Sequence, residues 1–392
     1  MTPAPSPSLH SMASDAPSPS AIVAQTGTAK GNRMTVVALD AMGGDHAPEA
    51  IVAGAVQAAL DPTLEIILVG RATELAALLP APPPNLRLHD APDAIGMAAQ
   101  PAVAVRQHRR SSIVVGLELV KNGQADAFAS FGNTGAVMAA GLFTLGRIPG
   151  VARPALATVF ENGRGSQTML LDVGANVDCR PEYLVQFALM GKAFVECVLH
   201  HGNPSIGLLN VGEEATKGNQ FSQEAYRLLQ RDEPNFIGNI EGGAMVAGAA
   251  DIVVSDGFIG NIAIKMGEAM TTLVTTRLRR AVESKLRYLF GAWLLRGAFA
   301  ALREHTDYQR VGGAPLIGIN GAVVIGHGRA DPEAVASGVR LARTMAESGY
   351  VDTVRHALLE AVPIVDPHTH DSAPTATRTA AAIAGPVTSS GD

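Results

Sequence analysis

Six short stretches rich in glycine, asparagine, aspartate and threonine follow predicted strands in this 392-residue chain, and together they could bind an anion. Glycine lets backbone N–H groups approach a ligand closely, and the start of a helix adds free donors with a partial positive charge. We call each of these strand–helix connections a corner. In an open parallel sheet such corners share the edge formed by the carboxyl ends of the strands, where ligands bind. Any one corner alone is typical of an ordinary strand–helix turn, but six on one edge predict a phosphate or polyanion site. The six corners are 40–45, 131–135, 172–178, 210–214, 239–243 and 256–261.

Lys217 lies beside a glycine in the stretch 207–218, which begins as one of those predicted strands. A lysine at this place could act as a point charge on phosphate or on a developing oxyanion. A solvated loop lysine paired with Glu213 or Glu214 explains the residue equally well. The residues alone leave both interpretations open.

Several familiar catalytic motifs do not occur in the sequence. We find no Gly-x-x-x-x-Gly-Lys-Ser/Thr loop, no clean Gly-x-Gly-x-x-Gly, no Gly-x-Ser-x-Gly elbow and no His-Glu-x-x-His pair, which disfavours nucleotide hydrolysis and weakens a dinucleotide site. The histidines at 200–201 and at 368 and 370 lack further ligands at metal-binding spacing, so we expect no metal and no cofactor. Cys179 and Cys197 are interpreted as core residues, and two cysteines are typical of a protein of the reducing cytosol.

A basic segment, residues 277–305, interrupts a chain whose formal net charge is −6. Its uncharged middle, 288–295, contains Trp293, the only tryptophan of the sequence. A basic helix with an aromatic apolar stripe can lie on an anionic bilayer or bind an acidic protein, and it can equally pack in a helix pair at a dimer contact. Residues 277–303 contain seven basic side chains and one acidic side chain, Glu283, so their net charge is +6. The basic residues are Arg277, Arg279, Arg280, Lys285, Arg287, Arg296 and Arg303.

The elements that must position these residues are predicted from alternating apolar runs. Stretches such as 64–69 and 168–173 are almost continuously apolar, as parallel strands buried on both faces are. Proline followed by glutamate marks helix starts at 48, 181 and 332. The alternation predicts right-handed βαβ crossovers and a three-layer α/β/α fold with a mostly parallel, Rossmann-like sheet. The predicted strands are 35–40, 64–69, 86–89, 125–131, 155–160, 168–173, 205–211, 235–240, 251–255 and 322–325.

One catalytic domain is predicted over residues 34–365, with an extension on either side. Residues 1–33 are rich in Pro, Ser and Ala, and residues 366–392 are similar, so neither stretch can bury enough apolar surface to order itself. We expect both to be disordered, and the first lacks the apolar region of a signal peptide. Hydrophobic residues make up 47% of the chain, which provides for a large core, while the net negative charge argues against nucleic-acid binding.

In combination, the motifs resemble the phosphate acyltransferases of bacterial phospholipid synthesis. They follow one another in order across about residues 35–345, and neither terminal extension belongs to the pattern. Two details look atypical: residues 243–245 where a polar or charged pair is expected, and Ser255 where cysteine is common. The matching stretches are 37–48, 132–136, 145–157, 171–179, 207–214 with 217–218, 235–242, 255–261, 312–316 and 327–328.

This resemblance implies a cytoplasmic homodimer that transfers a long fatty acyl group from acyl carrier protein to inorganic phosphate. The product, acyl phosphate, would be consumed by a membrane glycerol-3-phosphate acyltransferase, and we therefore expect peripheral association with the inner face of the cell membrane. The implied fold is the α/β/α type shared by phosphotransacetylases and isopropylmalate dehydrogenases.

By motif position, the resemblance makes Lys217 and Asn261 the expected catalytic residues. Lys217 would orient phosphate and stabilise the oxyanion, and Asn261 would donate to the same groups. Phosphate is largely dianionic at pH 7, so direct attack on the thioester needs no strong base and no acyl-enzyme. The expected phosphate- and substrate-binding residues are Asp40, Gly43, Gly44, Asn133, Thr134, Gly135, Asn176, Asn210, Asp256, Gly257 and His327. The expected contacts with the carrier protein or the membrane are Arg277, Arg279, Arg280, Arg287 and Trp293.

Three alternatives stay open at this point. A short-chain phosphotransacetylase would use acyl-CoA as its donor. An NAD-dependent oxidoreductase like isopropylmalate dehydrogenase would require a dinucleotide site and usually a divalent metal. A non-catalytic membrane-surface scaffold would explain the basic segment but would leave the six polar corners without a role.

Overall fold

A computed structural model describes residues 33–299 and 312–360, where eleven strands form one sheet between two layers of helices. The order of the strands across the sheet is β3-β2-β1-β4-β11-β10-β5-β6-β9-β7-β8. The predicted disordered extensions fall almost wholly outside the described residues, as do residues 300–305 of the basic segment. The strands are β1 Thr35–Asp40, β2 Leu64–Gly70, β3 Leu86–Asp90, β4 Ala127–Ser130, β5 Ala155–Glu161, β6 Gln167–Leu171, β7 Ile206–Leu209, β8 Phe236–Ile240, β9 Ile252–Val254, β10 Ala314–Ile317 and β11 Ala322–Ile325.

Helices cover both faces of the sheet and bury two separate cores. One core joins α1, α6, α7, α11 and α12 to one face, and the other joins α3, α4, α5 and the start of α9 to the opposite face. The three-layer α/β/α prediction is therefore confirmed. The helices are α1 Glu49–Ala58, α2 Ala72–Leu78, α3 Pro101–Gln107, α4 Ser112–Lys121, α5 Thr134–Thr144, α6 Pro181–Cys197, α7 Gln220–Asp232, α8 Gly242–Val246, α9 Gly257–Glu283, α10 Leu286–Leu294, α11 Pro332–Glu347 and α12 Tyr350–Glu360.

The sheet consists of two parallel blocks that run in opposite directions. Strands β3, β2, β1, β4 and β11 are parallel to one another, and so are β6, β9, β7 and β8. Three successive antiparallel pairings, β11–β10, β10–β5 and β5–β6, separate the blocks. The expectation that all six polar corners share one edge is therefore wrong, because the carboxyl ends of the two blocks point to opposite edges.

The reversal depends on β10, which the sequence pattern did not predict. This strand has four residues, one of them Pro315, and follows two glycines with φ of +92° and +122°. Its short length and its proline argue against a strand in any single-sequence analysis. All of the strands that were predicted are present, and their ends agree with the structure within two residues. In the described ranges, no helix combines the length and the hydropathy that a membrane span requires.

Candidate active site

A cleft of about 570 Å³ lies over the centre of the sheet, between α5 and α9. Leu156, Thr158 and Ile325 line it from the central strands β5 and β11, on the face that carries the second core. Its walls are the corners after β4, β6 and β11 and the first turns of α9. Corners from both parallel blocks meet here because the pairing registers across β10 and β5 stagger the blocks, so that Leu171 at the end of β6 lies within about one residue of the level of Ile325 at the end of β11.

The corner after β4 is held by two buried side chains that do not line the cleft. Ser130 donates its hydroxyl to Asp40 Oδ2 at 2.6 Å, and the Gly132 N–H donates to Ser130 Oγ at 3.1 Å. Asp40 is fully buried, and burial raises the pKa of its carboxyl although hydrogen bonds oppose the shift. Asp40 was predicted to bind phosphate, but the structure places it behind the corner, where it joins the ends of β1 and β4.

Asn133 caps α5 and fastens a neighbouring loop to it. Its Oδ1 accepts from the Ala136 N–H at 3.0 Å, and its Nδ2 donates to the carbonyl oxygens of Met97 and Ala99, each at 3.0 Å. Both ends of the Asn133 amide are therefore hydrogen-bonded within the protein, and the side chain positions the start of α5 against the loop that contains Met97 and Ala99. The next two residues, Thr134 and Gly135, do line the cleft, and their N–H groups have no intrahelical partner because they belong to the first turn of α5.

Asp172 organises the corner after β6 in the second block. Its Oδ1 accepts from the N–H groups of Leu156, Gly174 and Ala175 at 2.9–3.1 Å. Its Oδ2 accepts from the Asn176 N–H at 2.6 Å and from Asn176 Nδ2 at 2.8 Å. Burial raises the pKa of the Asp172 carboxyl, and these donors oppose the shift. The Asn176 amide nitrogen donates to this carboxylate and to the Pro154 carbonyl oxygen. Asn176 therefore shapes the corner and does not present these donors to the cleft.

The start of α9 packs against the corner after β6 so closely that only glycine fits. A Cβ at Gly257 would stand 2.6 Å from the Asn176 carbonyl oxygen, and one at Gly260 would stand 1.9 Å from the Asp172 carbonyl oxygen. This contact brings Asn261 into the cleft, where a Cβ at Gly174 would lie 3.7 Å from its Cγ. The Asn261 amide is exposed and makes no hydrogen bond to a residue that the structure describes, so its donors are available to a ligand.

Lys265 was not singled out from the sequence, yet it lines the same cleft as Asn261. The two residues are four apart on α9 and therefore share one face of the helix. Glu268 extends this face, and its Oε2 lies 3.4 Å from Lys265 Nζ. The signal that could have identified Lys265 is its i+4 spacing from Asn261, which becomes informative only once α9 is known to border the cleft.

A second, smaller cavity of about 260 Å³ lies between the carboxyl ends of β7 and β9. Asn210 and Asp256 line this cavity, so the structure separates them from the larger cleft. Asp256 caps α9 by accepting from the Ile259 N–H at 2.8 Å, and Asn210 Nδ2 donates to Asn239 Oδ1 at 3.1 Å. Lys217 lines neither cavity; its Nζ is 3.8 Å from Glu214 Oε1, and half of its side chain is exposed.

Of the predicted binding residues on the β1 and β11 side, His327 lines the larger cleft, whereas Gly43 and Gly44 lie behind the residues that line it. The His327 Nδ1 accepts from the Arg329 N–H at 3.1 Å. Gly43 allows a close approach, since a Cβ there would stand 2.4 Å from Asp40 Oδ2. Gly44 has φ of +122° and precedes Asp45, whose N–H donates to the Gly328 carbonyl oxygen at 2.7 Å. These two glycines shape the wall of the cleft between β1 and β11.

Comparison with known proteins identifies the family of this chain. A family model described as "Fatty acid synthesis protein" matches residues 35–353. A phosphate acyltransferase of Salinibacter ruber is 46% identical over 332 residues, which are 83% of this chain and 97% of the relative. The chain belongs to the phosphate acyltransferase family. A phosphate acyltransferase of Myxococcus xanthus is 45% identical over 317 residues, 79% of this chain and 90% of the relative.

A solved structure agrees with the fold of this phosphate acyltransferase family member. A phosphotransacetylase from Streptococcus pyogenes superposes with a TM-score of 0.55 at 17% identity, covering 81% of this chain and 94% of the other. At that identity the likeness establishes the three-layer fold alone. The sequence relatives establish that the chain is an acyltransferase.

The surroundings of Cys179 disfavour a nucleophilic role for its thiol. Burial, reinforced by the charges of Asp172 and Asp256, raises the pKa of its thiol to about 12, so the thiolate is not populated near neutral pH. Cys179 packs against the first core, as expected from the sequence. Within residues 33–299 and 312–360, no group of three or more His, Cys, Asp or Glu side chains has the arrangement of a metal site.

The described part of the basic segment forms two exposed helices, the end of α9 and all of α10. None of the residues of α10 is buried, and Phe290 and Trp293 stack with their ring centroids 6.0 Å apart while more than half exposed. The Arg296 guanidinium lies 5.2 Å from the Trp293 ring. Basic and aromatic side chains are thus exposed together, which fits each of the three contacts considered for this segment.

Proposed function

We propose that this acyltransferase moves a fatty acyl group from acyl carrier protein to inorganic phosphate and so supplies acyl phosphate for phospholipid synthesis. The cleft between α5 and α9 is the observation that carries the proposal. The first-turn N–H groups of Thr134 and Gly135 and the free amide of Asn261 provide neutral donors, and the α5 N-terminus adds a partial positive charge. Such a set of donors favours an oxyanion as ligand.

The proposed reaction is direct attack by phosphate on the thioester. A phosphate oxygen forms a bond to the carbonyl carbon, and the negative charge moves to the carbonyl oxygen. The C–S bond then breaks, and the thiolate leaves with the electron pair and takes a proton from solvent. Asn261 would donate to the oxyanion or to phosphate, a kind of contact worth about 10²–10³ in rate. The high pKa of Cys179 supports a reaction without an acyl-enzyme.

Lys217 is proposed to orient phosphate and to stabilise the oxyanion, as the family motif implies. Its neighbour Gly218 lines the smaller cavity, next to the start of α9. Replacing Lys217 by Ala is expected to reduce acyl phosphate formation by about 10²-fold or more. Near-normal turnover of Lys217→Ala would contradict the assignment.

The reaction is tested by mass-spectrometric detection of acyl phosphate. Purified enzyme is incubated with acyl carrier protein thioester and phosphate, and in parallel with acyl-CoA and phosphate. We expect acyl phosphate from the carrier-protein thioester, formed at a higher kcat/KM than from acyl-CoA. Preference for short-chain acyl-CoA would favour the phosphotransacetylase alternative, and absence of product from both donors would contradict the proposal.

The basic segment is proposed to contact the acidic carrier protein, the membrane surface, or both. Arg279 and Arg280 lie on the exposed end of α9, followed by the exposed aromatic side chains of α10. Replacing both arginines by Glu distinguishes the two proposed partners. Affinity for acyl carrier protein and binding to anionic vesicles are measured in separate assays on this variant. Loss of only one binding identifies the partner, and no loss of either would contradict both assignments.

A further inference from the structure

We propose that Lys265 on α9 is a second cation for the phosphate substrate, which it binds from the wall of the cleft in addition to the contact proposed for Lys217. This inference rests on the proposed function, because it assigns a residue to the phosphate of that reaction. Lys265 lies outside the stretches that match the family, the nearest of which ends at Asn261. The inference comes from the position of its side chain in the structure.

The geometry of α9 places Lys265 and Asn261 together. Both line the cleft, and their spacing of four residues stacks them on one helix face. Across the cleft stand Thr134 and Gly135, whose first-turn N–H groups point out of the α5 N-terminus. A dianion between the two helices would therefore meet backbone donors on one side and an amide with an ammonium group on the other.

Charge balance supports the same assignment. Among the cleft-lining residues that the structure describes, Lys265 is the only lysine or arginine, whereas Asp45 and Glu268 are acidic. Arg329, just outside the lining, lies 3.8 Å from Asp45. Neutral donors alone would leave a dianion facing two carboxylates, so the cleft needs the ammonium group of Lys265 to favour phosphate.

The ammonium group of Lys265 is free to change partner. Its side chain is 62% exposed, and its described partner is Glu268 at 3.4 Å on the same helix. An exposed pair of this kind contributes little to stability, so phosphate can compete with Glu268 for the lysine. Glu268 therefore acts against phosphate binding, both by holding Lys265 and by repelling the anion.

The experiment measures phosphate binding and steady-state kinetics in the full-length protein. Inorganic phosphate is titrated calorimetrically into wild type, Lys265→Met, Lys265→Arg and Glu268→Gln. Loss of a charged hydrogen bond in Lys265→Met should weaken phosphate binding and raise the KM for phosphate at least about tenfold. Lys265→Arg should stay within about threefold of wild type, since it retains the charge. Glu268→Gln should tighten binding about two- to threefold.

Lys121→Met is the matched control, because Lys121 is an exposed lysine at the end of α4 that lines neither cavity. It should leave phosphate affinity unchanged. If Lys265→Met binds phosphate like wild type, or if only the KM for the acyl donor rises, the assignment of Lys265 to phosphate is wrong. The proposed function fails separately, if the wild-type enzyme forms no acyl phosphate at all.

Discussion

At the scale of single residues, two buried carboxylates give the cleft its shape without facing it. Asp40 joins the ends of β1 and β4 through Ser130, and Asp172 collects five donors at the end of β6. Each carboxylate stands at the end of a strand in one of the two parallel blocks. The glycine-rich corners are therefore rigid because their N–H groups already have a partner beneath them, while donors at the surface stay available.

Replacing Asp172 by Asn is expected to destabilise the protein by about 2–4 kcal/mol, because the new NH₂ group would face the buried donors of Asn176. Chemical denaturation of the variant measures the free energy of unfolding. Asp178→Asn, at an exposed position in the same corner, is the control and should change stability by less than about 0.5 kcal/mol. Equal stabilities of the two variants would show that Asp172 does not hold the corner.

Glu233, at the C-terminal end of α7, makes stability depend on pH. Burial raises the pKa of its carboxyl from 4.5 to about 7; the charge of Lys192 opposes this shift and that of Asp232 adds to it. The folded state thus binds the proton more tightly than the unfolded state, and this group lowers stability as pH rises from 4.5 to 7. A carboxylate at a helix C-terminus is also unfavourable for the helix dipole.

Glu233→Gln is therefore expected to raise the free energy of unfolding by about 1–2 kcal/mol at pH 8 and to leave it unchanged at pH 4. Urea denaturation at both pH values measures the difference. The same gain at both pH values would mean that packing, and not the ionised carboxyl, causes it.

At the scale of elements, α9 determines the site because its two ends have different surroundings. Its first turn is fixed against the corner after β6 by Gly257 and Gly260, the two buried residues of its 27. From there the helix leaves the sheet, so one face carries Asn261 and Lys265 into the cleft, and nearly all residues after Glu268 are exposed. A shift of the first turn would move both side chains together.

Gly260→Ala is expected to cost at least about 2 kcal/mol and to reduce activity, since the added Cβ would displace α9 from the Asp172 carbonyl. Gly267 on the same helix has nothing within 4 Å of an added Cβ. Gly267→Ala should therefore stabilise the protein by up to about 1 kcal/mol through helix propensity. Thermal unfolding and turnover of both variants test this contrast, and a harmless Gly260→Ala would show that the close contact is dispensable.

At the scale of the whole molecule, the protein leaves a long apolar surface exposed on α9. Met270 and Val274, four residues apart, are 49% and 58% exposed, and together with other side chains they form one stripe. The stripe consists of Ile262, Met266, Met270, Leu273, Val274 and Leu278. A surface of this kind marks an interaction site, and a second copy of the chain is the partner that the family resemblance implies for it.

The homodimer that the family resemblance implies is expected to be lost in the double variant Met270→Lys/Val274→Lys, because two charges would be buried without partners in the contact. Sedimentation equilibrium measures the mass. Leu60→Lys places the same charge on an exposed leucine outside α9 and should leave the mass unchanged. A double variant that keeps the wild-type mass would move the dimer contact away from the α9 stripe.

The sequence by itself determined the layers, most strands and the chemistry of the corners, because these depend on local patterns. Apolar runs specify buried strands, Pro-Glu pairs specify helix starts, and glycine with asparagine specifies strand–helix corners. Only the tertiary structure decided which corners meet. The four-residue β10 reverses the sheet through a local pairing with β11 and a pairing of Leu316 with Leu156 of β5, which is too distant in sequence for any window of hydrophobicity to detect. That reversal brings the corner after β4 and the start of α9 to one cleft. Within a single block, Asn261 and Lys265 line that cleft while Asn210 and Asp256 line a separate cavity, so neighbouring motifs with the same composition have different surroundings.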